Sequence, residues 1–161
     1  MADTLSVVQD VLDNMVNFRR PPIGLNYVAY AVETHSNSAP DGEMKIATKS
    51  SNKDYLEHLL KNFSGPSKTA DDQIELWERL LPLVHKAMSD LDDKLMETGQ
   101  GENVRVVFDV DMGGYFYNRI SRHAILFGAT VDQAQINNGR CDREMQQMVS
   151  EIQAVFTAHG A

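Results

Sequence analysis

The chain has 161 residues and a formal net charge of −8, with 42% hydrophobic and 24% charged residues. This length and composition predict a single domain over residues 1–161 with a sizeable core, and they argue against general disorder. No run of about 20 apolar residues occurs, so we expect no membrane-spanning helix. Asp3 and Asp10 stand where a secretory signal would be basic and apolar, and Cys141 is the only cysteine. The absence of a secretory signal pattern favours the cytoplasm. A single cysteine excludes a disulfide within these residues.

The first quarter of the chain predicts one helix and a pair of strands. Apolar residues recur at helical spacing over residues 4–18, and Pro21-Pro22 follows as a stop signal. The aromatic and β-branched segment 25–32 predicts a strand. Residues 35–42 are rich in turn formers, so we expect a turn there. Residues 43–48 are then a weaker candidate for the partner strand.

A long amphipathic helix is the clearest feature of the chain. Seven apolar residues recur at alternating spacings of three and four: Ile74, Trp77, Leu81, Val84, Met88, Leu91 and Leu95. With Thr69 as N-cap they predict a helix over 70–97, roughly 40 Å long, preceded by a shorter helix over 52–63. A second row, Leu76, Leu80, Leu83 and Ala87, widens the apolar face and predicts burial in the core. Pro82 falls on the polar side, which favours a kink over a break.

The second half of the chain predicts further strands and a closing helix. Side chains over 104–111 alternate in the way that predicts a strand. Gly113-Gly114 then predicts a tight turn, followed by a returning strand at 115–117. Segment 120–131 is compatible with a strand or with a short helix and a strand. Apolar spacing predicts a last helix over 142–158. The fold class is therefore α+β, a small antiparallel sheet packed against about four helices.

Negative charge is concentrated around the long helix. Residues 65–102 contain nine acidic and four basic residues, a surface that repels phosphate and attracts a basic protein. The predicted partner-binding residues are Asp71, Asp72, Glu75, Glu78, Asp90, Asp92 and Asp93, with Leu91 and Leu95 extending into an interface or a homodimer. The plainer interpretation is a solvated helix surface that keeps the domain soluble.

Asp109 and Asp111 are a candidate metal site. Their side chains lie on one face of the predicted strand, about 7 Å apart at Cα, and carboxylate oxygens are the ligands that Mg²⁺ prefers. His123 is a candidate base for the metal-assisted hydrolysis of a phosphoester. The alternative is an exposed strand face without a function, and neither a phosphate-binding loop nor a second acidic motif supports the metal.

Cys141 lies between Arg140 and Arg143 near a predicted helix N-terminus, which favours a thiolate. Nucleophilic catalysis would also need a base, and His85 or His123 would have to fold against the thiol. The alternative is an incidental cysteine. The histidines lack the i, i+4 spacing of metal ligands. The sequence therefore predicts no cofactor, no metal and no catalytic residue.

Aromatic and basic residues alternate over Tyr115–Arg122. This pattern is typical of a packed strand, and it also occurs in interfaces and in nucleic-acid binding. Tyr27 and Tyr30 are candidates to join the same surface. The net negative charge argues against nucleic acid.

Size, charge and element order are typical of small acidic binders, such as secretion chaperones, immunity proteins and phage inhibitors of bacterial defence, although no motif supports one class. We therefore expect a protein-binding domain that captures or inhibits a partner through the acidic helix at 70–97. The alternatives are the hydrolase using Asp109 and Asp111, and a structural subunit of a larger, homo-oligomeric assembly.

Overall fold

The structure of the protein is a computed structural model that describes residues 3–17, 24–36, 39–61 and 69–158, with backbone alone for 35–36 and 39–42. The described elements are α1 (Thr4–Val16), β1 (Tyr27–Ser36), β2 (Ala39–Ser51), α2 (Lys53–Leu60), α3 (Ala70–Glu97), β3 (Arg105–Val110), β4 (Gly113–Ser121), β5 (Ala124–Thr130), α4 (Gln133–Asn137) and α5 (Arg140–Ala158). The predicted stop at Pro21-Pro22 lies outside the described residues.

The five strands form one antiparallel sheet in the order β2-β1-β5-β4-β3. Helices α1 and α5 pack on one face, and α2 and α3 pack on the other. The α+β architecture predicted from the sequence is confirmed. β2 and β3 are the two edge strands, so their outer backbone groups have no strand neighbour among the described residues.

Alternation along the strands separates two apolar cores. On β1, Val28 and Tyr30 point toward α1 and α5, whereas Tyr27 and Ala29 point toward α2 and α3. On β3, Val106 packs into the α3 side. The neighbours of Val106 on β3, Arg105 and Val107, therefore face the α5 side. This assignment of faces decides which residues of the edge strand can act together.

The helix boundaries follow from local hydrogen bonds. Asp3 caps α1 by accepting from the amide of Leu5 at 3.3 Å. At the start of α3, Thr69 and Asp72 form a capping box in which each side chain accepts from the other's backbone amide. The helix then runs as one element from 70 to 97 through Pro82, whose exposed position lets water replace the missing helical bond.

Four predictions at the level of elements need correction. Most of the segment expected as a turn at 35–42 is paired strand, because the ladder between β1 and β2 continues to the bridge from Ser36 to Ala39. The tight turn expected at Gly113-Gly114 lies at Asp111 and Met112 instead, because Val110 pairs with Gly113 and β4 begins there. The segment 120–131, which the sequence left open, contains the end of β4, a turn at 122–123 and β5, which is buried on both faces between β1 and β4. The five-residue α4 was not predicted, and α5 begins two residues before the predicted position.

The apolar face of α3 was predicted too wide. Of the second row, Leu76 and Leu83 are exposed and Leu80 is half-buried. The first stripe enters the core as far as Met88, with Ile74, Trp77, Leu81 and Met88 buried, and Leu80 of the second row packs against it. A single sheet face covers one side of a helix, so the adjacent row remains at the surface.

Candidate protein-binding surface

Helix α3 is fixed to the sheet by polar contacts along one flank. Near its start, Glu78 accepts hydrogen bonds from the hydroxyl of Tyr27 at 3.1 Å and from Lys49 Nζ at 2.5 Å. Burial of the phenol and the neighbouring Glu78 carboxylate both raise the pKa of Tyr27 above its usual range. Near its end, Asp92 accepts from the backbone amide of Asn103 at 2.7 Å, which places this part of α3 beside the start of β3.

The seven acidic residues predicted as one surface have different surroundings. Five already have partners: Asp71 pairs with Lys53, Asp72 completes the capping box, Glu75 pairs with Arg79, Glu78 binds Lys49 and Tyr27, and Asp92 binds Asn103. Asp90 and Asp93 are exposed, and no ion pair or side-chain hydrogen bond joins them to any described residue. These two carboxylates therefore remain free to meet a partner's charge.

A second apolar row runs along the outside of α3. It consists of the second row, Leu76, Leu80, Leu83 and Ala87, together with Leu91, the exposed member of the first stripe, and we call it the outer stripe. Leu83 is 66% exposed, and Leu76 and Leu91 are each 43% exposed. Leu95, predicted beside Leu91, is half-buried. Spacings of three and four place these side chains on one line of the helix surface, the pattern by which helices pack against one another.

The edge strand β3 also exposes apolar side chains. Val104 is 60% exposed, and Val107, Val110 and Met112 are exposed as well. Both edge strands carry charged residues and accept a side-chain hydrogen bond at a strand carbonyl; on β3, Gln133 donates to the Val110 carbonyl at 3.3 Å. Exposed Lys45 and Lys49 lie on β2, and Gln9 of α1 donates to the Lys49 carbonyl at 2.8 Å. What distinguishes β3 is its exposed valines. Charged and covered edges resist strand pairing, whereas an apolar edge favours it.

The structure separates the three residues of the candidate metal site, Asp109, Asp111 and His123. Asp109 is exposed on β3 and accepts from Gln133 Nε2 at 3.0 Å, and Asp111 lies in the turn that follows. Asp109 lies opposite Gly114, whereas His123 follows the far end of β4, roughly 20 Å away at the rise of a strand. No group of three potential ligands exists among the described residues. His123 therefore cannot act as a base at Asp109.

Cys141 is buried rather than reactive. Burial and the carboxylate of Glu144 raise the pKa of its thiol to about 12. Arg140 lowers this pKa, as predicted, but burial outweighs its effect, so the expected thiolate does not form at neutral pH. The thiol packs in the core on the α5 side of the sheet. His85 contacts Tyr117 and Glu33 on the opposite face, and therefore cannot serve as its base.

Two of the five histidines, His85 and His123, nonetheless participate in one polar cluster that the sequence did not reveal. Glu33 Oε2 lies 2.7 Å from His123 Nδ1, and its Oε1 lies 3.5 Å from His85 Nε2. The other ring nitrogen of His85 is 2.9 Å from the hydroxyl of Tyr117. Residues from β1, α3, β4 and the β4–β5 turn meet here, and no spacing along the chain could indicate such a meeting.

The aromatic segment Tyr115–Arg122 packs mainly as a core strand. Phe116 and Tyr117 are buried on opposite faces of β4, and Tyr115 stacks on Phe127 at a centroid distance of 6.1 Å. Tyr27 and Tyr30 are also buried. These rings therefore do not form a shared exposed surface, as the interface and nucleic-acid interpretations would require.

Comparison with known proteins supports the fold and leaves the activity open. No protein-family model and no curated protein matches the chain. A solved structure described as MglB with a tetrameric arrangement aligns with a TM-score of 0.62 at 12% identity, over 96% of this chain and 91% of that one. The gliding protein MglB from Thermus thermophilus aligns with the same score and identity, over 100% and 95%. The chain shares the fold of MglB.

At 12% identity the likeness to MglB extends to the backbone architecture alone. None of the described helices is both long and apolar enough to span a membrane.

The surface residues that sequence reasoning misplaced were Leu76 and Leu83, which were assigned to the core. Their signal was present in the sequence, because the second row continues to Leu91 with helical spacing, beyond the width that one sheet face can bury.

Proposed function

We propose that this protein is a protein-interaction domain that assembles through β3 and the outer stripe of α3. The observation that carries the proposal is the edge strand β3, at and beside which Val104, Val107 and Val110 are exposed. An edge strand with exposed apolar side chains favours pairing with a further strand. By alternation, Val104 and Val110 lie on the α3 side of the sheet, so they share that side with the outer stripe.

A second copy of the chain is the partner that β3 fits best. Antiparallel pairing of two β3 strands about Val107 places Val107 opposite Val107 of the second copy. In the same register Arg105 lies opposite Asp109 of the second copy, and the symmetry of the pair creates this contact twice. Val104 then meets Val110 of the second copy. Charge and apolar complementarity therefore coincide in one register, and an MglB structure has a tetrameric arrangement.

The acidic outer surface of α3 supports a second contact, with a basic protein. Asp90 and Asp93 are exposed on the last third of the helix and have no partner among the described residues. The other five acidic residues predicted for this surface add to its negative potential, although each of them already has a partner. We infer an inhibitory, immunity or chaperone-like role in which a basic protein binds this surface and its association rate falls with salt.

Sedimentation velocity of the purified chain from about 1 to 100 μM tests the assembly. We expect a dimer or a larger species for the native chain and a monomer for Val107→Glu, because the substitution places two carboxylates opposite each other at the pair axis. Leu5→Glu is the matched control, since Leu5 is exposed on α1, away from β3. A native chain that is monomeric at 100 μM would overturn the assembly proposal.

The basic partner is tested by capturing proteins from the host lysate on the native chain and on an Asp90→Lys/Asp93→Lys variant. We expect a basic protein that the native chain retains at 50 mM salt, and that the variant does not retain. Asp71→Lys is the control, because Asp71 lies at the opposite end of α3. Equal retention by the native chain and the double variant would contradict a contact at Asp90 and Asp93.

A further inference from the structure

A cavity lies on the α5 side of the sheet, where the end of α5 meets β1 and the end of β4. Its volume is about 490 Å³, which is within the range of about 300–1,000 Å³ that is usual for small-molecule pockets. Six described residues line it, and none of them is charged: Tyr30, Ile120, Ser121, Gln153, Phe156 and Thr157. The cavity is therefore suited in size and charge to a small neutral molecule.

Tyr30 brings an unused polar group to this cavity. Only 4% of Tyr30 is exposed, and its hydroxyl bonds to no described residue. The described side-chain atoms that are both unpaired and closed to solvent belong to Asn26, Asn103, Asn118 and Asp142. The unpaired hydroxyl of Tyr30 is not among them, so it is open to solvent, and Tyr30 lines the cavity. A buried tyrosine usually has a hydrogen-bond partner for its hydroxyl, and a ligand in the cavity would supply one.

The state of this hydroxyl decides which ligand atom it can bind. Burial raises the pKa of Tyr30, so the phenol keeps its proton at neutral pH and donates a hydrogen bond. The ligand must therefore present an acceptor oxygen. A carboxylate is disfavoured, because it would lose its hydration against rings and aliphatic groups without gaining a cationic partner from the lining.

The remaining walls are apolar and are fixed in place. The rings of Tyr30 and Phe156 lie with their centroids 5.9 Å apart at an angle of 33°, and Ile120 is buried beside them. Gln153 Nε2 donates to the carbonyl of Ile120 at 2.9 Å, which holds the end of α5 against β4. A flat ring packs well against such aromatic walls, in offset or edge-to-face contact.

We propose that this cavity binds a small neutral aromatic molecule whose ring carries a carbonyl or hydroxyl oxygen. The ring packs against Phe156 and Ile120, and the oxygen accepts a hydrogen bond from the hydroxyl of Tyr30. Apolar burial supplies the affinity, and the single hydrogen bond sets the orientation of the ring. None of the six lining residues belongs to β3 or to the outer stripe, so this site does not rest on the proposed function.

The test is a titration followed by ¹H–¹⁵N correlation spectra of the full chain. Acetophenone is the probe, because it is a neutral ring with one carbonyl oxygen, and benzoate is its matched anion. We expect saturable shifts of the Ser121 and Phe156 backbone amides with acetophenone at millimolar concentration. We expect binding of benzoate to be at least about tenfold weaker. The absence of saturation with acetophenone, or equal binding of benzoate, would overturn the proposal.

Removing the hydroxyl of Tyr30 tests its role in binding. Tyr30→Phe should weaken the binding of acetophenone by about fivefold, because one hydrogen bond is lost while the apolar walls remain. Tyr115→Phe is the matched control, since Tyr115 does not line the cavity, and it should leave the affinity unchanged. A folded Tyr30→Phe variant that binds acetophenone as tightly as the native chain would refute the hydrogen bond.

Filling the cavity tests its location. Thr157→Trp adds a large ring on the side of α5 that lines the cavity, and it should abolish the shifts while keeping Tyr30. Glu151→Trp makes the same change at an exposed position of α5 that does not line the cavity, and it should leave them unchanged. Shifts that persist in a folded Thr157→Trp variant would place the ligand elsewhere and overturn the site.

Discussion

The hydroxyl of Tyr117 lies 2.9 Å from Nδ1 of His85, and this contact joins the centre of α3 to the middle of strand β4. The rings are stacked at a centroid distance of 6.3 Å. Glu33 approaches the other ring nitrogen of His85. The polar cluster therefore fixes the rotation of α3 about its axis, and that rotation decides which leucines of the helix reach the core and which form the outer stripe.

Removing this hydroxyl tests its contribution to stability. We expect Tyr117→Phe to lower the free energy of unfolding by about 1 kcal/mol, because His85 Nδ1 loses its partner in a half-buried site. Tyr115→Phe is the matched control, since the Tyr115 hydroxyl bonds to no described residue, and we expect it to change stability by less than about 0.5 kcal/mol. Urea unfolding of both variants measures the difference. Equal effects would mean that the contact does not stabilise the fold.

Stability should fall in alkaline solution. Burial and Glu144 raise the pKa of Cys141 from 9.0 to about 12, and burial raises the pKa of Tyr27 and Tyr117 above 10.0. Each native group therefore holds its proton at a pH where the unfolded chain has released it. These groups leave the free energy of unfolding unchanged below about pH 9. Above that pH the free energy of unfolding decreases, and the contribution of the thiol continues to fall until about pH 12.

Urea unfolding at intervals from pH 8 to pH 11 measures this dependence. We expect Cys141→Ala and Tyr27→Phe each to flatten the decline above pH 9, because each removes one group with a raised pKa. Either variant is expected to be less stable than the native chain at pH 8, so the slope with pH is the informative quantity. A native chain of constant stability up to pH 11 would contradict the burial of these three groups.

The turn between β3 and β4 requires glycine at position 113. Gly113 has φ +137°, and a Cβ there would lie 2.0 Å from the carbonyl oxygen of Thr130. We expect Gly113→Ala to destabilise the fold by about 3 kcal/mol or more, from backbone strain and overpacking together. Gly101→Ala is the control, because Gly101 also has positive φ but open space around it. Its cost should be only about 1–2 kcal/mol, as thermal unfolding would show.

The proposed register of the β3 pair predicts a charge-swap result. Arg105→Asp or Asp109→Arg alone should weaken the dimer by about tenfold, since each opposite-charge pair contributes roughly 0.2–1 kcal/mol, occurs twice, and becomes repulsive. The double variant restores both pairs with reversed sign and should recover most of the affinity. Sedimentation equilibrium of the three variants measures the dimer constants. If the double variant dimerises as weakly as the two single losses of affinity added together would predict, the dimer uses another register or another surface.

Short-range patterns in the sequence determined much of this protein. Spacings of three and four, with Thr69 and Asp72 at the start, defined α3 to the residue, because a helix is built from contacts within four positions. Alternation likewise identified β3, whereas the turn that follows it lies two residues before the predicted glycines. The α+β class followed from the same local information.

The tertiary structure decided which of these surfaces are free. Cys141 has a raised pKa because elements distant in sequence bury it, and Leu83 is exposed because the sheet covers only one side of α3. The strand order that leaves β3 at an edge depends on pairings between β1 and β5, about 100 residues apart. The unpaired hydroxyl of Tyr30 depends in the same way on how α5 lies across the sheet. Such properties arise from contacts between distant segments, which periodicity along the chain does not encode.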